Sequence, residues 1–268
     1  MVYIHTTGLV VESWPKTVWY LMGVEDFVVR LLPILSNLLF LAPSARALEW
    51  EYPIDAFLWF FVALVTSPSY HLCMGFDACL WSVGKHRLVD FWSAELAMPA
   101  VALYFMRFRS NYIRTWFLLT AMIAIGLLVA GTDSSFMNQV IIGGISGAIV
   151  VAYLLWHRHA HGYWPEYDLK QLVLGLGFLV LGICFFVVQE WWPPYYGYTH
   201  SYWHGCDAIG IYFMIGIRKK NSDIPGGAAY PVEGRVMGLG SRIFAPFPKG
   251  PQRARFNQRG QPVGVHSV

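Results

Sequence analysis

Seven apolar runs, each about as long as the roughly 20 residues a helix needs to cross a bilayer, follow one another along the chain. They fall at Phe27–Leu48, Ile54–Leu72, Leu88–Phe105, Ile113–Gly131, Gln139–Trp156, Leu169–Val188 and Tyr198–Ile217, with short polar intervals between them. The pattern predicts an all-α fold: one seven-transmembrane helix bundle over residues 27–217. Before it, residues 1–26 form a short extension that lacks the basic start and small-residue cleavage site of a signal peptide, and is expected to be retained.

Composition agrees. Of the 268 residues 56% are hydrophobic, 17% aromatic and 13% charged, with mean hydropathy +0.45, against about 25% charged in an ordinary soluble domain. The partners this implies are membrane lipids rather than nucleic acid. Charge then sets a direction. Alternate connectors hold Arg46, then Arg107, Arg109 and Arg114, then Arg158 and Lys170, then the "RKK" at 218–220, whereas the others hold little beyond Lys16, Lys85 and Arg87. By the positive-inside rule the N-terminus is outside and the C-terminus cytosolic. Residues 218–268 are basic and rich in Gly and Pro, as a disordered cytosolic tail is; they either stay solvated or are drawn to anionic inner-leaflet lipid.

The candidate chemistry lies in three histidines. "SPSYHLC" closes the second run with His71, and "YTHSYWH" opens the seventh with His200 and His204. Residues four apart on a helix share a face, and the alternating direction of the helices puts all three in the outer half of the bundle. Ionisable groups at membrane depth are functional candidates by default, and three imidazoles with an open position describe a catalytic-type zinc site. The alternative is a histidine cluster satisfied by carbonyls and hydroxyls. Ser67, one turn before His71, either faces the metal or bonds a backbone carbonyl beside Pro68. Asp207 either fixes an imidazole tautomer or is a solvated charge. Cys73 and Cys79, at the outer end of the second run, either pair as a disulfide or remain thiols, and Cys184 and Cys206 read as core residues. "HRHAH" at 157–161 reads as interfacial histidines, "GGISG" at 143–147 as a close helix contact within the bundle or between protomers, and "EWWPPYYGYTH" at 190–200 as an aromatic belt or a lipid-facing lip.

A bundle with "SPSYH" ending the second helix and "HSYWH" opening the seventh resembles the CREST superfamily, hydrolase-like seven-span proteins that group alkaline ceramidases, progestin and adipoQ receptors and GPI-processing phospholipases. The resemblance implies zinc on His71, His200 and His204, with Ser67 as the helix-two serine. Aligning "VDFWSAELAMP" with the superfamily's third helix puts Ser93 where the hydrolases carry an aspartate, with Asp90 and Glu95 nearby but on other faces. "RLLPILSNLLFLAP" at 30–43, "FFVAL" and "YHLCMG" narrow the resemblance to a branch of muscle-cell fusion proteins. That branch implies a homodimeric plasma-membrane fusogen, passing through the Golgi, that mixes outer leaflets and works with a small fusion-promoting membrane protein. It also has a short cysteine-bearing tail, which this chain, with no cysteine after Cys206, does not. The alternative is a zinc-dependent intramembrane lipid hydrolase; a ligand-sensing receptor fits worse, since the adipoQ type has the opposite orientation.

Overall fold

The computed structural model describes residues 27–108, 110–132, 136–192 and 195–218; the N-terminal extension and the tail beyond residue 218 lie outside them. The chain is helical. A first rod, Phe27–Glu49, consists of α1 (Phe27–Ser36), a 3₁₀ turn over Asn37–Phe40 and α2 (Leu41–Glu49). Pro33 explains the break: it has no N–H for the ladder, and the side chains of Ser36 and Asn37 both bond its carbonyl. A second rod, Pro53–Phe76, consists of α3 (Pro53–Phe61), a π turn over Val62–Thr66 and α4 (Ser67–Phe76). Pro68 sits in the first turn of α4, where its missing N–H costs least. The widened turn falls just before Ser67; such turns are frequent at functional sites.

Then come α5 (Val83–Tyr104), α6 (Asn111–Gly131), α7 (Phe136–His161), α8 (Leu169–Trp191) and α9 (Tyr196–Ile215). Among the described residues five stretches are long and apolar enough to cross a membrane: the two rods, α6, α7 from Asn138 and α8 to Gln189. This is a multi-pass membrane protein. The other two long helices, α5 and α9, are as long as a span, at 22 and 20 residues. They fall short in hydropathy because they carry His86, Asp90, Glu95, Thr199, His200 and His204, all buried in the bundle.

The second rod is central, with 56% of its most apolar window buried, whereas α8 has 11% and turns most of its surface outward. Helix α9 packs against α8, α1 and α2, while α6 and α7 each pack on α5. The α8–α9 contact depends on small residues: a Cβ on Gly175 would lie 2.6 Å from Met214 Sδ, and one on Gly210 3.1 Å from the Gly175 carbonyl. The close contact therefore lies there. Of "GGISG" only Gly143 touches a neighbour, Met98, and Gly144 and Gly147 face open space.

At the end away from the histidines a polar cluster ties the bundle together. Asp55 and Arg114, both buried, form a two-pronged ion pair. Tyr104 donates to Asp55 Oδ1 at 2.9 Å, and Trp59 Nε1–H donates to the Tyr104 hydroxyl at 3.2 Å. The Arg114 guanidinium also lies 4.3 Å from the Tyr52 ring centre. Arg218, expected to begin the solvated tail, is instead buried and donates to the Met106 carbonyl and the Tyr52 hydroxyl. It thereby satisfies a carbonyl of the turn that follows α5.

Gly197 gives a local prediction. A Cβ there would come within 2.6 Å of the Val29 carbonyl oxygen, so α1 backbone would have to move. Gly197→Ala should destabilise the protein by about 1–3 kcal/mol, read as a lower thermal midpoint in detergent, while Gly147→Ala, in a helix interior facing open space, does not lower it.

Candidate metal centre

The three histidines meet. His71 comes from α4, and His200 and His204 from the first half of α9; all are buried, and each offers one nitrogen such that these lie within 4.8 Å of one another. It is the only such group of histidine, cysteine or carboxylate side chains among the described residues.

Hydrogen bonds decide which nitrogens face inward. His200 Nδ1 lies 2.8 Å from Gln189 Oε1, an oxygen that only accepts, so Nδ1 carries the proton and Nε2 a lone pair. The Ser36 hydroxyl donates to the Pro33 carbonyl at 3.0 Å, so at 2.9 Å it accepts from His204 Nδ1–H, and His204 Nε2 is likewise unprotonated. The first rod is thus broken at the residue that orients His204. His71 Nε2 stands 3.1 Å from His200 Nε2, while its Nδ1 is buried without a partner. Two nitrogens on a tetrahedral zinc at 2.0–2.1 Å lie about 3.3 Å apart, close to that separation, and a site of imidazoles, two of them fixed by outer hydrogen bonds, suits zinc. The residues present fit the ion.

Orienting partners of this kind typically contribute 10–100-fold in metal affinity. If the group holds zinc, Gln189→Ala should weaken its binding by about 10–100-fold, measured by competition with a chromogenic chelator, with the helical content unchanged.

The remaining expected residues are placed as follows. Ser67 is buried one turn before His71, and its hydroxyl has no hydrogen bond of ordinary geometry. The carbonyl-bonded alternative therefore does not hold for it; Ser69 makes such a bond, to Thr66. The Ser93 hydroxyl donates to the Asp90 carbonyl at 2.8 Å and meets Thr66 Oγ1 at 3.0 Å. Asp207 is not an imidazole partner. Its carboxyl lies against Gly182 of α8 and the Trp203 side chain, and Gln189 and Ser36 do the orienting.

Asp90 corrects the expectation that it faces away from Ser93. Three residues apart, the two are neighbours on a helix; both are buried, and the Asp90 carboxyl is near enough to Ser67 for their side chains to interact. Glu95 does face elsewhere, fully buried with both carboxylate oxygens unpartnered. Cys73 and Cys79 form a disulfide, Cys206 is a buried thiol, and Cys184 is exposed rather than in the core. Of the three histidines in "HRHAH" only His159 is exposed: His157 is buried, its Nδ1 3.1 Å from the Tyr163 carbonyl, and His161 is half-buried. Trp192, Tyr195 and Tyr198 are exposed at the histidine end, as a belt or lip requires.

Fold and site together define a helical multi-pass membrane protein with a buried three-histidine group at one end. The chain belongs to the family described as "Protein of unknown function (DUF3522)", whose model matches residues 25–205, from the approach to α1 to just past His204. No curated protein matches it.

Proposed function

We propose that this chain is a seven-span, zinc-dependent hydrolase of amide or ester bonds in membrane lipids, at the plasma membrane, N-terminus outside. The observation that carries the reading is the meeting of three buried imidazoles, two of them held with Nε2 free. Zinc bound there would acidify a water and polarise a lipid carbonyl. Ser67, buried one turn before His71, donates a hydrogen bond to the carbonyl oxygen as charge develops on it. Asp90, beside Ser67, accepts the proton of the attacking water at its carboxylate and passes it to the leaving amine or alcohol, the part that Ser93 cannot take.

The test uses purified chain, zinc-loaded or chelated, with fluorescent ceramides and phospholipids in mixed micelles. The reading expects zinc-dependent release of fatty acid, reduced about 10²–10⁴-fold in Asp90→Asn with zinc content unchanged. No release from any substrate by zinc-loaded chain sinks it.

Ser93 favours a second reading, in which the site has lost its chemistry and the bundle is a myomaker-like fusogen for cell–cell fusion. The histidines then hold helix geometry, the exposed aromatics perturb the outer leaflet, and the chain acts as a homodimer. Its test is mixing of non-fusing cells that express the chain, with content mixing expected and its absence contradicting it.

A further inference from the structure

We propose that the connector Cys79–Ser82 is a lipid-embedded finger: Leu80 and Trp81 sit within the leaflet at the histidine end of the bundle, held there by the Cys73–Cys79 disulfide and the His86 ring. The inference rests on the multi-pass fold and not on the hydrolase reading.

Depth is the argument. The second rod ends at Phe76, and Asp77 adopts the left-handed conformation, φ 56°, that reverses the chain. The Asp77 N–H bonds the Cys73 carbonyl, as in an αL cap, and the Ala78 N–H bonds the Leu72 carbonyl, which turns the connector back along α4. The disulfide then holds Cys79 beside Cys73, Cα to Cα 4.4 Å. Cys73 lies three residues inside the helix end, about 4.5 Å at 1.5 Å per residue. Next, the N–H groups of Leu80 and Trp81 both donate to His86 Nε2 at 3.2 Å, and the same ring's Nδ1 lies 3.3 Å from Ser69 Oγ. Ser69 is about 10 Å inside the helix end on the same measure.

The backbone of this pair is therefore satisfied by protein, at a level within the span, while its side chains point outward: Leu80 is 80% and Trp81 56% exposed. Backbone at membrane depth is tolerated where its polar groups are bonded internally, and the surroundings of an outward side chain at that depth are lipid. Leu72, also exposed, extends the surface along α4, and Phe27 packs edge-on against Phe76 beside it. Tryptophan suits the headgroup boundary, and the exposed Lys85 is placed to reach lipid phosphate along its aliphatic stem.

The experiment is photolabelling of the full chain in nanodiscs of phosphatidylcholine that includes a fraction bearing a diazirine near the glycerol end of one acyl chain, with adducts mapped by mass spectrometry. Adducts are expected on Leu80 or Trp81 as well as on exposed Ile141 and Ile145 of α7, and Cys79→Ser should lose the former and keep the latter. Labelled α7 with an unlabelled connector overturns the proposal, as does labelling that Cys79→Ser leaves unchanged. Failure to label α7 as well overturns the membrane placement on which it rests.

Discussion

Replacing His200 and His204 together by alanine is expected to leave the purified chain without bound zinc and with a thermal midpoint about 5–10 °C lower, at about 2–4 °C per kcal/mol for a chain of this size. Two causes act together. A zinc ion bound to the folded state would contribute stability that the variant forgoes, and each truncation opens a cavity, at His204 beside Phe40 and His71 and at His200 beside His71 and Tyr196, where both rings are buried. The loss of metal should exceed the 10–100-fold expected when only an orienting partner such as Gln189 is removed. Metal analysis of protein purified without added chelator, with a thermal scan beside it, checks both. Unchanged zinc would mean that the ion is held elsewhere.

The second large effect lies at the opposite end. Asp55→Leu should destabilise the bundle by about 3–5 kcal/mol, because it leaves the Arg114 guanidinium buried without its counter-charge. Tyr104 loses its acceptor in the same substitution. The yield of monodisperse protein in detergent should fall sharply. Asp55→Leu combined with Arg114→Met should recover most of that loss, since an apolar pair of similar volume often replaces a buried ion pair without penalty. A single variant as stable as the parent would show that the pair is hydrated in the membrane.

Helix positions were legible because lipid imposes a length on apolar runs. The expected Leu169–Val188 and Ile113–Gly131 appear as Leu169–Trp191 and Asn111–Gly131. Legibility declined where polar side chains turn inward. The third run was expected to begin at Leu88 but the helix starts at Val83, because His86 and its neighbours lower the hydropathy while His86 is buried against Ser69. The second run was expected to stop at Leu72 and continues to Phe76, which sets His71 inside the helix.

The histidine group was readable from spacing and alternation, since His200 and His204 share a face and His71 lies at the same end of an adjacent helix. Its supports were not. Ser36 reaches His204 only because Pro33 breaks α1, and Gln189 reaches His200 across a connector. No local pattern marks either. Asp90 is legible from spacing alone: three residues from Ser93, it shares that residue's helix face.

The most direct test of the account is zinc K-edge X-ray absorption on the full chain as purified in mild detergent. The account predicts one ion with a first shell of nitrogen and oxygen at about 2.0–2.1 Å and imidazole scattering. A shell with sulfur at about 2.3 Å, or an imidazole signature that persists in His200→Ala/His204→Ala, would contradict it.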